Sequence, residues 1–250
     1  MDKDRLIEEL REAVRARDEF VAIAAHELRN PMTPILLQVE SLLATVDRGH
    51  CEPELLKPRI ERLERAVRAF VRRATSLLDV SRMLAGNLQI EPSRVDLSGV
   101  LGEVLERLAP AAEVACCRIE RALQEGVVGV WDRLALEQIA ENLLSNALKF
   151  GAGRPVAVAV RADDGMARLI VRDQGIGISG ADRGRIFERF ERAVVRREHG
   201  GGFGVGLWLV CQLVRAMDGR IDLESVPGQG ASFTVSLPLH PIDADHGAAA

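Results

Sequence analysis

Tyrosine is absent from this chain of 250 residues, and aromatic residues of all kinds make up only 4% of it. Aliphatic side chains must therefore build the core of the one large or two small domains that this length allows. No apolar run approaches the roughly 20 residues that a membrane-spanning helix requires, and the first residues do not resemble a signal peptide. We expect the chain as given to be soluble and cytoplasmic, with any membrane reached only through a segment outside it.

The chain also lacks an excess of charge of either sign and a cysteine framework. Its net charge is −4, and acidic and basic residues are interspersed, which argues against nucleic acid as a partner. The spacing of its four cysteines, Cys51, Cys116, Cys117 and Cys211, fits neither a metal site nor a disulfide scaffold. We predict that each is a small buried apolar residue in a reducing compartment.

The first third of the chain has the pattern of two long helices. Over residues 4–47 apolar residues alternate at spacings of three and four, as in a coiled-coil seam, and the pattern resumes after Pro31 and Pro34. A break over 48–53 precedes a second helix over 54–85. Two helices with such narrow stripes cannot bury both seams alone, so we expect a hairpin that pairs with a second copy into a four-helix bundle. The alternative is a monomeric hairpin that packs against the rest of the chain.

From residue 86 onward glycines, short β-like runs and helices alternate, as in a mixed α/β domain. The helices are predicted over 97–108, over a segment capped by Asp132 that ends near 150, and over 204–217. The strands are predicted over 127–131, 156–160, 167–172, 220–225 and 232–237. Asp164-Gly165 predicts a hairpin turn, and the tail after Pro238 is expected to be frayed.

His26 begins the segment HELRNPMTPI on the first predicted helix. At about 100° per residue it falls roughly 165° from the apolar seam, on the solvent side, and Asn30 shares its face. A neutral imidazole is a competent nucleophile toward phosphorus, and Glu27 can accept the N–H of one ring nitrogen while the other attacks. Asn30 can instead position a water for the reverse, hydrolytic reaction. Taken alone, an exposed histidine on a helix is more often a solvated surface residue.

The segment ENLLSNALKF, residues 141–150, places three polar side chains on one helix face. Asn142, Asn146 and Lys149 are separated by four and three residues. Two amide oxygens on adjacent turns can hold a hydrated Mg²⁺, and a lysine can reach a phosphate oxygen. Seen in isolation, amides on a helix are also common as caps or surface residues.

Two glycine-rich segments follow. In DQGIGI, residues 173–178, Asp173 at a strand end can accept the exocyclic amine of adenine, and the glycines let the main chain approach the base, although ordinary turns use the same residues. GGGFGVG, residues 200–206, opens a helix whose N-terminus can bind phosphates. The intervening RIFERFERAVVRRE, with Phe187 and Phe190, is expected to be a mobile lid whose arginines either contact phosphates or are merely solvated.

Together these segments resemble the sensor histidine kinases of two-component signalling over nearly the whole chain. FVAIAAHELRNPMTPI resembles the phosphoacceptor box of their dimerisation and histidine-phosphotransfer domain. ENLLSNALKF, DQGIGI, IFERF and GGFGVGL resemble the asparagine, first glycine, phenylalanine and second glycine boxes of their ATP-binding domain, in the family's order. The resemblance implies a helical hairpin domain over 1–86 and a Bergerat-type α/β sandwich over 87–240, and we expect 241–250 to be a disordered tail.

The resemblance also implies a role for each matching residue. His26 corresponds to the phosphorylated nucleophile, Glu27 to an acidic neighbour that serves as general base, and Asn30 to the position associated with phosphatase activity. The residues that match the ATP and Mg²⁺ site are Asn142 and Asn146 for the metal, Lys149 for a phosphate, Phe150 and Asp173 for adenine, and Gly175, Gly177, Gly202, Gly204 and Gly206 for the two loops. Phe150 stands where the family often has tyrosine, and GAGRP over 151–155 lacks the common threonine-proline continuation.

The function implied by the resemblance is ATP-dependent autophosphorylation of His26 in a homodimer, followed by transfer to an aspartate of a response-regulator receiver domain, with phosphatase activity toward the same partner. Two other classes remain open. A scaffold that acts mainly as a phosphatase is opposed by the intact nucleotide boxes. A conformational ATPase of the related chaperone and topoisomerase superfamily is opposed by the phosphoacceptor box.

Overall fold

A computed structural model describes residues 3–49, 52–84, 89–151, 153–188 and 205–239, with some side chains of the first two ranges left outside the description. The chain divides into two compact units, Met1–Leu88 and Gln89–Ala250. The division lies two residues beyond the boundary expected at 86/87. No helix within the described ranges is long and apolar enough to span a membrane.

The first unit is a helical hairpin, as the seam pattern predicts. Helix α1 spans Lys3–Asp47 and continues through Pro31 and Pro34, and α2 spans Pro53–Leu84. Gly49, at φ +80°, turns the chain after α1. Nearby, the Arg59 guanidinium donates to Thr45 Oγ1 at 2.7 Å, and the Thr45 hydroxyl donates to the Ser41 carbonyl at 2.8 Å. These bonds tie α2 to the last turns of α1 at the closed end of the hairpin.

The second unit is an α/β sandwich. Its strands and helices are, in order, β1 (Ser93–Asp96), α3 (Leu97–Val114), β2 (Ile119–Leu123), β3 (Val128–Trp131), α4 (Arg133–Phe150), β4 (Val156–Asp163), β5 (Met166–Arg172), α5 (Gly206–Ala216), β6 (Arg220–Ser225) and β7 (Ala231–Pro238). A 3-10 turn lies at Arg185–Phe187. The main sheet has the order β2-β4-β5-β7-β6, with β2 parallel to β4 and every other pair antiparallel. Strands β1 and β3 form a small antiparallel sheet.

The core lies between the three helices and one face of the main sheet. Alternate residues of the central strands are buried on that face, among them Val158, Leu169 and Val235, each about 1–2% exposed. They meet the apolar sides of α3, α4 and α5, whose buried residues are almost all aliphatic. Trp131 is also buried, and its indole N–H donates to the Pro238 carbonyl at 2.8 Å. Aliphatic packing thus replaces aromatic packing, as the composition requires.

Several sequence expectations need correction. Strands β1 and β2 were not predicted, and α3 is longer than the expected 97–108, since it continues through Pro110 to Val114. Burial of Ala112 against the core extends the helix beyond the proline. Cys117 and Cys211 are buried, but Cys116 is exposed because it occupies a left-handed turn, φ +53°, between α3 and β2. Cys51 and residues 241–250 lie outside the described part.

Candidate functional site

Helix α4 carries the polar residues of the asparagine box. Asp132 caps it, since its Oδ1 accepts the Ala135 N–H at 3.1 Å. The opposite side of the helix is buried, which leaves Asn142 and Asn146 half-buried. The Asn142 side-chain N–H₂ donates to the Gln138 carbonyl at 2.8 Å, so its Oδ1 faces away from its own helix.

Asn142 lies directly beside the first residue of α5. A Cβ at Gly206 would lie 2.7 Å from Asn142 Oδ1, closer than side-chain carbons approach an oxygen. Glycine at this position therefore lets the N-terminus of α5 come close to the amide oxygen on α4. A helix N-terminus presents unpaired N–H groups and a partial positive charge, which suit phosphate oxygens.

The end of α4 contacts the DQGIGI loop. The Lys149 ammonium lies 4.9 Å from the centre of the Phe150 ring, in cation–π range. A Cβ at Gly175 would lie 2.1 Å from the Phe150 carbonyl oxygen and 2.9 Å from Asp173 Oδ1. No other residue type fits at 175 without moving the main chain, so this glycine brings Phe150 and Asp173 together.

Asp173 is a buried carboxyl, 6% exposed, immediately after β5. Its Oδ1 accepts the Gly175 N–H at 2.8 Å, and its own N–H donates to the Ala231 carbonyl at 2.9 Å. Burial raises the pKa of the Asp173 carboxyl above its ordinary value, and backbone hydrogen bonds, from the Gly175 N–H first, partly oppose this rise. In its ionised form this carboxyl has the capacity to accept a further hydrogen bond.

The turn between β6 and β7 supports the DQGIGI loop, a role that the sequence analysis missed. The Gly228 N–H donates to the Ile176 carbonyl at 2.7 Å. Two glycines in the left-handed region allow the turn and the loop to approach each other closely. A Cβ at Gly177 (φ +67°) would lie 2.1 Å from the Val226 carbonyl oxygen. A Cβ at Gly230 (φ +87°) would lie 2.1 Å from the Asp173 carbonyl oxygen. The Gly-x-Gly spacing at 228–230 is the sequence feature that could have indicated this role.

Ser225 is a second residue that the sequence analysis missed. Its buried hydroxyl accepts the Ile178 N–H at 2.8 Å and donates to the Gly230 carbonyl at 2.7 Å. Its own carbonyl accepts a hydrogen bond from the Arg183 guanidinium. Ser225 thus joins the end of the DQGIGI loop to the β6–β7 turn.

The phenylalanine box is anchored in the core at its first residues. Ile186 is buried, and the Phe187 ring meets the Phe233 ring edge-to-face, with centroids 6.4 Å apart and planes at 82°. The described residues stop at 188 and resume at 205. Phe190, Gly202, Gly204 and most of the segment 185–198, which is expected to be a lid, therefore lie outside them.

The predicted phosphoacceptor residues lie on α1, in the hairpin unit. The backbone of His26 and Glu27 is helical, and their side chains are outside the described part. Asn30, one turn further along, is exposed. The structure thus gathers Asn142, Phe150, Asp173 and their glycines in one unit, with the histidine box in the other.

The residues around α4 fit a hydrated magnesium ion and a nucleotide. In the part of the chain that the structure describes, no group of three or more His, Cys, Asp or Glu residues is arranged to hold a metal. The available oxygens are amides, with Asn142 Oδ1 turned toward the start of α5. Mg²⁺ usually keeps several waters and takes its other ligands from substrate phosphates, so such a sparse donor set suits it.

Two family models match the chain. Residues 16–86 match the His Kinase A (phospho-acceptor) domain, and residues 131–241 match the histidine kinase-, DNA gyrase B- and HSP90-like ATPase. His26 falls within the first range, and the asparagine and both glycine boxes fall within the second.

Curated proteins and solved structures agree with these matches. The alginate biosynthesis sensor protein KinB of Pseudomonas aeruginosa is 33% identical over 239 residues, which cover 94% of this chain and 39% of KinB. The sensor-like histidine kinase SenX3 of Mycolicibacterium smegmatis is 30% identical over 232 residues, covering 92% of this chain and 59% of SenX3. The chain thus spans about two fifths to three fifths of the length of these relatives.

Two solved structures have a similar fold. The histidine kinase AdeS of Acinetobacter baumannii aligns with a TM-score of 0.65 over 86% of this chain and 98% of that one, at 21% identity. ShkA, solved at full length in complex with AMPPNP, aligns with a TM-score of 0.61 over 88% of this chain and 45% of its own length, at 27% identity.

Proposed function

Because the chain belongs to the sensor histidine kinases of two-component signalling, we propose that it phosphorylates His26 from ATP and passes the phosphoryl group to an aspartate of a response-regulator receiver domain. The observation that carries this proposal is the presence in one chain of a phosphoacceptor region that contains His26 and an ATPase region with a buried carboxyl and glycine-lined loops.

In this proposal each nucleotide-site residue binds one part of ATP. The Asp173 carboxylate accepts the exocyclic amine of adenine, and the Phe150 ring stacks on the base. The loops containing Gly175, Gly177, Gly202, Gly204 and Gly206 approach the base and the phosphates with their main chain. Lys149 contacts a phosphate oxygen. The close approach of Asn142 Oδ1 to Gly206, the first residue of α5, supports the placement of the phosphates there.

Asn142 and Asn146 would hold Mg²⁺ through their amide oxygens, together with waters and phosphate oxygens. When bound, the ion neutralises negative charge that develops on the phosphates. The rest of catalysis is the positioning of His26 against the γ-phosphorus, which is the main contribution of a protein to phosphoryl transfer.

The chemistry assigned to His26 begins from the neutral imidazole. One ring nitrogen forms a bond to the γ-phosphorus while the bond to the bridging β–γ oxygen breaks, and ADP leaves. Glu27 accepts the proton from the other ring nitrogen, as a general base. In the second half-reaction the phosphoryl group moves from the imidazole nitrogen to a carboxylate oxygen of the receiver aspartate.

Labelled ATP tests the proposal directly. The wild-type chain should acquire an acid-labile, alkali-stable phosphoryl label, and His26→Gln should abolish it because glutamine has no nucleophilic ring nitrogen. His50→Gln is the matched control and should label normally. Addition of a receiver domain should remove the label from the wild-type protein. A label that persists in His26→Gln would refute the assignment of this residue.

We also propose that Asn30 supports dephosphorylation of the regulator by positioning a water. Its exposure on α1, one turn beyond His26, supports this role. Asn30→Ala should slow release of phosphate from a phosphorylated regulator at least tenfold while leaving His26 labelling within about twofold of wild type, given the usual contribution of a positioned proton-transfer partner. Equal rates of phosphate release from the two proteins would exclude the role.

The proposal extends to the domain bounds, the oligomeric state and the location of the protein. The hairpin domain occupies residues 1–86, the ATP-binding domain occupies 87–240, and the protein acts as a homodimer in the cytoplasm. The apolar side chains that α1 and α2 leave exposed support dimerisation through the hairpin.

A further inference from the structure

The loop after α4 is held in place by main-chain hydrogen bonds. The Gly151 N–H donates to the Ala147 carbonyl at 2.8 Å, and the Arg154 N–H donates to the Gly151 carbonyl at 2.9 Å. On the side of the α3–β2 turn, the Gly153 N–H donates to the Ala115 carbonyl at 2.9 Å. The position of Arg154 is therefore fixed relative to Phe150, the last residue of α4.

The Arg154 side chain connects this loop to the DQGIGI loop. Its Nη1 donates to the Gln174 carbonyl at 2.5 Å, and Gln174 directly follows Asp173. The same two segments touch at Gly175, where any Cβ would collide with the Phe150 carbonyl. Arg154 is itself exposed, so its side chain does not contribute to the buried core.

We propose that Arg154 is a positioning residue for adenine binding. Its guanidinium holds the Gln174 carbonyl and thereby fixes the separation between the Asp173 carboxyl and the Phe150 ring. This inference rests on the proposed function, in which adenine lies between these two groups. A cationic donor gives a stronger hydrogen bond than a neutral one. Arg154 lies in GAGRP, the segment that lacks the threonine-proline continuation common in the family.

The test compares Arg154→Met with Arg161→Met in the full chain. Arg161 is also exposed but lies on β4, with its side chain on the sheet face away from the helices, so its replacement controls for the loss of one charge.

Arg154→Met should raise the KM for ATP in His26 phosphorylation about tenfold, as expected for loss of a hydrogen bond from a charged donor. We expect kcat to change less than about twofold and Tm less than about 2 °C. Arg161→Met should change none of the three. Arg154→Lys, which keeps the charge but loses the planar fork, should be intermediate.

A double-mutant cycle separates positioning from a general effect on the fold. If Arg154 acts through the Asp173 loop, Arg154→Met combined with Asp173→Asn should bind ATP within about twofold of Asp173→Asn alone. Additive losses would overturn the inference. So would an unchanged KM in Arg154→Met, or a rise in KM accompanied by a matching fall in stability. Failure of the proposed function itself is distinguishable, because the wild-type chain would then show no label on His26.

Discussion

Asp173 is placed where binding and stability oppose each other. Its carboxyl is buried beside a glycine loop, and in the charged form it is stabilised mainly by backbone N–H groups. A residue selected only for stability would not leave a carboxylate in such a position, because desolvation of the charge is costly. This cost is explained if the carboxylate accepts a hydrogen bond from a ligand. Groups that lower stability in this way occur most often at functional sites.

Asp173→Asn should therefore weaken ATP binding without weakening the fold at neutral pH. Since the folded pKa is raised, the fold favours the neutral carboxyl. Its contribution to stability is complete below the unfolded pKa, about 3.9, and is lost as the pH rises through the folded pKa. At pH 7 the buried charge of Asp173 therefore lowers the stability of the wild-type fold, and an asparagine at this position does not.

Thermal unfolding from pH 4 to 8 checks this sign. We expect the Tm of Asp173→Asn to equal or exceed that of the wild type at pH 7, and its advantage to shrink toward pH 4. ATP affinity at pH 7 should fall at least tenfold, the range for a hydrogen bond to a charged group. A variant that is less stable than the wild type at pH 7 and gains on it in acid would contradict the raised pKa.

Residue roles that depend on local pattern could be predicted from the sequence, and those that depend on distant partners could not. Asp173 was placed at a strand end because a β-like run precedes it, and β5 does end at Arg172. Ser225 escaped notice because its partners are Ile178, 47 residues away, and the Gly230 carbonyl. A serine near a strand end has no sequence feature that specifies a tertiary hydrogen bond.

At the scale of elements, the same distinction explains which strands were missed. The strand pair β4–β5 has alternating apolar residues and an Asp164-Gly165 turn, both at positive φ, and was predicted. The strands β1 and β2 are four and five residues long, and β2, IERAL, lies at the sheet edge with charged residues in its centre. Pairing with β4 makes it a strand, and pairing cannot be read from so short a run.

The β6–β7 turn offers a test of how an element supports a site. Gly228 and Gly230 are both in the left-handed region, at φ +80° and +87°, but only Gly230 meets the main chain of Asp173. Gly228→Ala should lower the free energy of unfolding by about 1–2 kcal/mol, the cost of left-handed backbone for an L-residue. Gly230→Ala should lower it by about 3 kcal/mol or more, because the added Cβ also displaces the main chain.

Urea unfolding gives the two free energies, and nucleotide titration of the folded proteins gives the functional consequence. Gly228→Ala retains the N–H that bonds to Ile176, so its ATP affinity should stay within about twofold of wild type, whereas Gly230→Ala should lose at least tenfold, as for a lost hydrogen bond to Asp173. Similar stabilities of the two variants would show that the turn can move away from Asp173 at little cost.

At the scale of the whole molecule, the two units differ in how far their apolar side chains are buried. In the described part of Gln89–Ala250, most apolar side chains of the strands and helices are buried. In the hairpin, apolar residues of the seam that the sequence pattern predicts to be buried are exposed to solvent. Val21 is 57% exposed, Leu43 58% and Ile60 51%. An apolar stripe of this length on a hairpin is the feature expected of a four-helix bundle formed by two copies.

The chain should therefore be a dimer in solution, and charges in the seam should separate it. Leu43→Glu combined with Ile60→Glu places two carboxylates where the bundle core would form, and unpaired buried charges each cost about 3–5 kcal/mol. We expect light scattering to give twice the mass of one chain for the wild type and the mass of one chain for the double variant. Leu134→Glu is the control, because Leu134 is 74% exposed but lies on α4, in the other unit. It should leave the mass doubled. A monomeric wild type at micromolar concentration would mean that the hairpin seam is covered by something other than a second copy.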